Sequence, residues 1–337
     1  MNCAVFTLGS FNKEYGGQCK LLSQGLLKNK ISPIKLATKK NNSIVKYLFY
    51  ILGLRSGLMF TGFGYKSKLP KNLINTKVII SFAQVLPWNL FFYCFLKKKK
   101  IIFWNDMPIS KITEIYVSNI IWKKIIIFIS CFQKFFLENK TVATNSHQFA
   151  NQKNVSIVPR IIDECFYKKL HIKTKKTFFS LVLIGNDFER KKFLYIISFI
   201  KDLFPDLAIY VVGKNKDKLK NEFFKNVFFL GQQSKKNLSK LFKKLNSFFT
   251  ISISDREGAP ITLLEVQASG GFSICTNKNG GKEYVPEECV FNDKIKLKKI
   301  INKIFNSFKF RNYIKKKILK NLNRHKAENV AAELLKY

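Results

Sequence analysis

The stretch of this sequence best equipped for chemistry is Ser252-Ile253-Ser254-Asp255-Arg256-Glu257-Gly258-Ala259-Pro260-Ile261-Thr262-Leu263-Leu264-Glu265. Two carboxylates, Glu257 and Glu265, stand with seven residues between them, a glycine and a proline among those seven. If the chain turns helical near Ile261, Glu257 lies in a loop, Glu265 lies inside the helix, and a free helix N-terminus separates them. Such an end exposes unpaired N–H groups and a partial positive charge, which suits a phosphate. A carboxylate deeper on the helix can accept hydrogen bonds from sugar hydroxyls, as an acidic residue does for ribose in dinucleotide folds. The same spacing also fits a surface turn followed by a solvated Glu265, and spacing alone does not separate the two readings.

The elements that would position these groups are legible. Phe248-Phe249-Thr250-Ile251 has the length and flanks of a buried parallel strand. Gly258 gives the loop a flexible backbone, and Pro260 suits a first helical position, where its missing N–H would be unpaired anyway. Ile261 to Ala268 reads as a helix that stops before Gly270-Gly271. Upstream, a strand over 178–184 feeds the loop Gly185-Asn186-Asp187-Phe188-Glu189-Arg190-Lys191-Lys192. Two further strands, 208–213 and 227–231, close on Gly213 and Gly231, as in a parallel α/β sheet. Ligands of such sheets bind outside the carboxyl ends of the strands. Gly185, Gly213, Gly231 and the Glu257 loop are therefore expected at one crevice.

The spacing of Glu257 and Glu265, with Gly258 and Pro260 after the first, resembles the paired-glutamate motif of retaining GT-B glycosyltransferases, family 4 in particular (glycosyl transferases group 1). Glu265-Val266-Gln267-Ala268-Ser269-Gly270-Gly271 and then Gly280-Gly281-Lys282-Glu283 continue the pattern. The resemblance implies an α/β GT-B fold, two Rossmann-like parallel-sheet domains facing each other across a cleft. An acceptor-side domain would span 1–165 and be joined by a C-terminal helix at 323–337; a nucleotide-sugar-binding domain would span 177–322, with a linker near Glu164 to Lys176. Thr141 to Ser146 resembles the last strand of the first domain, and Val155 to Arg160 the run into the linker. The implied activity moves a sugar from a nucleoside-diphosphate donor to a glycan or lipid-linked glycan, with retention of anomeric configuration.

The resemblance also implies roles. Glu265 would hold the ribose and Glu257 would lie near the donor sugar. Arg190 and Lys191, in a Glu-Arg-Lys version of the family loop, would hold the diphosphate. Gly258, Ala259, Pro260, Ile261, Gly185, Asn186 and Gly231 would complete the donor site. Gly16 and Gly17, read as a turn before a helix at Gln18 to Leu27, would face the phosphates, since a glycine pair lets backbone N–H groups approach an anion closely. Breaking the donor bond leaves negative charge on the departing oxygen, which Arg190, Lys191 and loop N–H groups would stabilise. The acceptor would react on the same face, its proton leaving towards the phosphate, without a Glu257 nucleophile. The sequence departs from the family at three places. Asn186 stands where many members have arginine, Arg160-Ile161 where many have Asn-Gly, and Asp106 in the region where many place a histidine. No metal and no cofactor are implied, and no Asp-x-Asp pair is present.

Composition bounds the remaining possibilities. At 337 residues the chain has room for two domains of roughly 150 residues each. Its 47% hydrophobic content is far from that of a disordered chain. A net charge of +39 raises a nucleic-acid or anionic-membrane partner. The excess is mostly Lys, beside heavy Asn, Ile and Phe use of the kind an AT-rich coding sequence produces, and no nucleic-acid-binding module is visible; no nucleic acid is expected. Seven scattered Cys residues without metal-ligand spacing fit reduced thiols, and three distant His residues suggest neither a zinc site nor a triad. Asn2 to Leu8 reads as a first strand rather than a secretory signal. Val78 to Leu96 is uncharged for nineteen residues, long enough for a membrane span. Its Ser81, Gln84, Pro87 and Asn89 favour a strand at 77–82, a helix after Pro87 and a strand at 101–104. Lys123-Lys124 ahead of Ile125 to Ile129 fits a core helix with a basic end, or an interfacial segment touching anionic lipid. Lys298 to Leu322 reads as a basic helical tail and Glu328 to Tyr337 as a last helix. A cytoplasmic enzyme in peripheral contact with an anionic membrane is the resulting expectation. A catalytically silent GT-B scaffold and a basic nucleic-acid-binding protein are the alternatives.

Overall fold

The computed structural model describes residues 3–7, 14–40, 65–67, 69–105, 108–117, 119–144, 155–167, 179–214, 225–245, 247–254, 257 and 259–337. The chain divides into two compact units, Met1–Ile161 with Arg324–Tyr337, and Ile162–Asn323. The first holds β1 (Cys3–Thr7), α1 (Glu14–Lys28), β2 (Ile34–Lys40), β3 (Tyr65–Ser67), β4 (Val78–Ser81), α2 (Trp88–Leu96), β5 (Lys100–Asn105), α3 (Ile109–Tyr116), α4 (Ile120–Phe136), β6 (Asn139–Ala143) and β7 (Ser156–Ile157). The second holds β8 (Phe179–Ile184), α5 (Phe193–Leu203), β9 (Ala208–Val212), β10 (Val227–Gly231), α6 (Lys235–Lys244), β11 (Ser247–Ser252), α7 (Ile261–Ala268), β12 (Phe272–Thr276), β13 (Val290–Phe291), α8 (Lys294–Asn306) and α9 (Phe308–Leu322). The chain then returns to the first unit as α10 (Ala327–Leu334).

The sheets share one topology. The first runs β3-β2-β1-β4-β5-β6-β7 and the second β10-β9-β8-β11-β12-β13. Counted from its own first strand, the second has the order 3-2-1-4-5-6 of a doubly wound nucleotide-binding sheet, and the first has that order with a seventh strand, β7, added after the sixth. All recorded pairings are parallel except that of β2 with β3. Apolar runs without alternation are what a parallel sheet covered on both faces requires. In the first unit Cys3, Val5, Ile80, Ile102 and Trp104 pack on the side of α1 and α10. Their neighbours Ala4, Phe6, Ile79, Ile101 and Phe103 pack on the side of α2, as the two-residue period of a strand dictates.

The return of α10 is fixed by close contact. A Cβ on Gly25 of α1 would lie 2.1 Å from the Ala327 carbonyl oxygen, so only glycine lets the helices approach this far. Lys28 pairs with Glu328 at 3.3 Å, and Asn29 Nδ2 donates to the Glu328 carbonyl at 2.9 Å. Just before α10, His325 is buried with its Nδ1 2.8 Å from the Arg160 carbonyl oxygen; burial holds its pKa down at about 4.

As expected, the nineteen-residue uncharged run is β4, a loop and α2, and no described helix is long and apolar enough to cross a membrane. Other expectations need correction. The strand expected to close the first sheet, 141–146, is followed by the short β7, which pairs with β6. The basic C-terminal tail is two helices, broken at Ser307, whose hydroxyl caps the second by accepting from Phe310 N–H. Gly16 and Gly17 lie inside the opening turn of α1, which starts at Glu14, and not in a turn ahead of it.

Candidate functional site

Three glycines end three adjacent strands of the second sheet. Gly185 N–H donates to the Val212 carbonyl and Gly213 N–H to the Gly231 carbonyl, each at 2.9 Å. Gly231 has φ +67°, a left-handed conformation that favours glycine. At Gly213 a Cβ would lie 1.8 Å from the Gly185 carbonyl oxygen. The carboxyl edge of β8, β9 and β10 thus carries three residues without side chains of their own, with the Lys191 and Phe188 side chains packed against Gly185 and Gly213.

The loop after β8 crosses this edge and reaches the loop after β11. Asp187 shapes it: Oδ1 accepts from Arg190 N–H at 3.0 Å, and Oδ2 lies 3.4 Å from Arg190 Nε. Lys192 closes it in a left-handed conformation, φ +53°, ahead of α5. Arg190 and Lys191 then point at one carboxylate. Lys191 Nζ donates to Glu257 Oε1 in a short ion pair, and Arg190 Nη2 lies 3.6 Å from the same oxygen. Ser252 Oγ donates to Glu257 Oε2 at 3.0 Å. Burial alone would push the Glu257 carboxyl up. Lys191, with Arg190 and Ser252 adding to it, outweighs burial and holds the group below its ordinary value. The Lys191 stem fills the space that Gly185 leaves, since a Cβ on that glycine would meet Lys191 Cδ and Cε at 2.3 Å.

One buried side chain absent from the sequence reading braces this cluster. Asn279 Nδ2 donates to Ser252 Oγ at 2.8 Å and to the Ser254 carbonyl at 2.7 Å, while its Oδ1 accepts from Gly281 N–H at 2.7 Å. Gly280 N–H donates to the Glu257 carbonyl at 3.0 Å. Arg190 Nη1 approaches Ser254 Oγ at 3.4 Å. The one signal for this was Asn279 directly ahead of Gly280-Gly281, a residue that caps turns through its side chain.

Helix α7 begins at Ile261, with Pro260 as its N-cap and Ala259 before it; Pro260 thus stands one position earlier than expected. Glu265, one turn in, is buried and has partners other than those of Glu257. Lys235 Nζ, at the start of α6, lies 3.2 Å from Oε1, yet no donor among the described residues is aligned for a hydrogen bond to that oxygen. Burial raises its pKa; Lys235 opposes the rise and Asp163 adds to it. Neither Lys235 nor Asp163 stood out in the sequence, because both reach Glu265 only through the fold.

The structure brings Gly185, Arg190, Lys191 and Glu257 together, with Gly231 on the same strand edge. Ala259, Pro260 and Ile261 carry the chain on from Glu257 into α7. Asn186 accepts from Lys214 N–H at 3.3 Å on the same side. Gly16 and Gly17 belong to the first unit. Gly258 and Asp106 lie outside the described residues. Among the described residues, no group of three or more His, Cys, Asp or Glu could hold a metal ion.

The solved structures similar to this chain share its two-sheet architecture. Sucrose-phosphate synthase from Thermosynechococcus elongatus aligns with a TM-score of 0.65 at 10% identity, over 100% of this chain and 98% of its own. Anabaena HepE in complex with UDP and glucose aligns at 0.66 and 10% identity, over 100% and 98%. WaaG, a glycosyltransferase involved in lipopolysaccharide biosynthesis, aligns at 0.63 and 12% identity, over 99% of each chain. The fold is therefore α/β of the GT-B glycosyltransferase type. Residues 166–321, nearly all of the second unit, match the family model described as glycosyl transferases group 1. No curated protein sequence matches the chain.

Proposed function

We propose that the protein is a glycosyltransferase that moves a sugar from a nucleoside-diphosphate donor to a glycan or lipid-linked glycan, with retention of configuration as in family 4. The observation that carries this reading is the convergence of Arg190 and Lys191 on Glu257 at the carboxyl edge of β8 and β11, in the loop eight residues ahead of the buried Glu265. The family match over 166–321 and the likeness to structures of sugar-nucleotide enzymes support it.

In this reading the donor diphosphate lies at the glycine edge, beside the Lys191 stem that packs against Gly185. Arg190 and Lys191 stand ready for it, one guanidinium and one ammonium beside the oxygen that gains charge as the sugar leaves. Glu257, kept ionised by these cations, orients the donor sugar and holds both cations in place before the donor arrives. The N-terminus of α7 adds a partial positive charge. Glu265 accepts from the ribose hydroxyls, the role the family resemblance implies for it, while Lys235 pairs with its Oε1. No step in this reading calls for a metal.

The test is release of nucleoside diphosphate from a panel of UDP-, GDP-, ADP- and TDP-sugars, with Glu257→Gln as control. Release with one donor, lost in the variant, supports a transferase. Nucleotide binding without release from any donor, in the presence of a broad glycan set, would favour a catalytically silent scaffold.

A further inference from the structure

Helix α4 is inside out. Its buried face carries Ser130 and Gln133 beside Ile126 and Ile129. Gln133 Oε1 accepts from Leu86 N–H at 2.7 Å and its Nε2 donates to the Leu86 carbonyl at 2.9 Å; Ser130 Oγ donates to the Gln84 carbonyl at 3.2 Å. The outward stripe, at helical spacing, is Ile121, Lys124, Phe128, Phe132 and Phe135, with Phe128 68% and Phe135 84% exposed. A helix that needed only to cover a sheet would carry these rings on its other side.

The apolar surface continues onto α2. The Phe132 ring lies 6.3 Å from Trp88 and 6.0 Å from Phe91, and Phe95 lies 6.0 Å from Phe136. Phe92, Phe95 and Leu96 of α2 are exposed as well. A contiguous surface of this kind marks an interaction site, whereas single exposed apolar residues do not.

Charge decides what covers it. Neither α2 nor α4 contains an Asp or Glu, and exposed Lys97, Lys98 and Lys124 stand at its edges. Two copies of the chain meeting about a two-fold axis would oppose the same lysines to one another. A bilayer with anionic headgroups takes the rings into its interface and meets the ammonium groups with opposite charge, the lysine stems reaching outward past the rings. We propose that the α2–α4 face docks the protein on an anionic membrane surface, with both helices lying in the interface. The inference rests on this surface alone and stands whether or not the donor site turns over a sugar.

The test is flotation of the full chain with phosphatidylcholine vesicles, with and without about 30% phosphatidylglycerol, at about 0.15 M salt. The wild type should float only with the anionic vesicles. Phe128→Ser with Phe135→Ser should weaken binding about tenfold or more, because two exposed rings no longer enter the interface. Lys97→Glu with Lys98→Glu should weaken it to a similar degree, more at low salt than at high. A polarity-sensitive probe on Cys131, an exposed thiol on α4, should shift to the blue with anionic vesicles, in a Cys165→Ser background that removes the half-buried thiol. Failure of the wild type to bind anionic vesicles would overturn the proposal, as would binding that both double variants leave intact. A phenylalanine double variant that melts earlier with vesicle binding intact would assign the face to residues 41–64 of the same chain. One that breaks an oligomer with vesicle binding intact would assign it to a second copy. Either of those results also overturns the proposal.

Discussion

Glu257 and Glu265 stand eight positions apart, in one loop and the helix that follows it, and the fold treats them in opposite ways. Glu257 has two cations and a serine hydroxyl on its two oxygens, and its carboxyl is held below the ordinary value. Glu265 is buried, with Lys235 near but unaligned, and its carboxyl is raised. Two carboxylates whose surroundings push their pKa values apart are suited to different tasks. The first belongs to a charged cluster that can meet a leaving phosphate. The second has an ion pair to Lys235 and can accept further hydrogen bonds from a ligand.

The largest effect should come from the charged cluster. Lys191→Ala should lower the rate of sugar transfer about a hundredfold, corresponding to roughly 3 kcal/mol for loss of one donor to the departing oxygen. Steady-state kinetics should place the loss in kcat. An unchanged kcat with a raised KM would make Lys191 a binding group and dissolve the contrast with Glu265. Next in size is Glu265→Ala, which should weaken nucleoside-diphosphate binding by about 1.5–3 kcal/mol, the range for hydrogen bonds to a charged group. Calorimetric titration would show it, and equal affinity in the variant would remove the ribose role. Asn279→Ala strips the brace from Ser252 and Ser254 and should cost about 1–3 kcal/mol of stability through the polar groups left unpaired. Denaturant unfolding would measure that cost, and a neutral result would show that Glu257 is held without Asn279.

The smallest effect is one of sign. Glu257 is depressed, so its stabilising contribution is present above the ordinary carboxylate pKa and is lost as pH falls through its folded value. Glu265 is raised, so the unfolded chain ionises first as pH rises and stability falls until the folded group ionises too. Glu265→Gln should therefore gain melting temperature relative to wild type as pH rises above the ordinary carboxylate range, while losing nucleotide affinity. A variant less stable than wild type throughout would mean that Lys235 more than offsets the burial of the Glu265 charge.

The same contrast explains what the sequence revealed. Local patterns were legible: β11 and α7 occupy 247–252 and 261–268, against expectations of 248–251 and 261–268. Arg190, Lys191 and Glu257 could be singled out because their residue types suit a phosphate and their loops close apolar strands. Their partners could not. Asn279, Lys235 and Asp163 act through interactions that only the folded chain creates, and apart from the Gly280-Gly281 pair after Asn279 nothing in their neighbours marks them. The glycine pair at 16–17 was misread for a related reason: glycines signal a turn locally, but here they are held within the first turn of α1. The Ser307 break was hidden by a basic pattern that runs through both helices. In α4 the apolar count was visible, yet which face it would occupy depended on Gln133 finding the Leu86 backbone.

The most direct measurement is the thermal stability of the wild type and Lys191→Ala with UDP, GDP, ADP and TDP. A ligand that binds only the native state adds about 2.7 kcal/mol at a hundred times its dissociation constant. Stabilisation by one of the four, strongly reduced in Lys191→Ala because the free diphosphate already carries the charge that the intact donor gains only as the sugar leaves, is the predicted result and names the base. No stabilisation by any of the four at millimolar concentration would contradict a nucleoside-diphosphate site at the carboxyl edge of the second sheet.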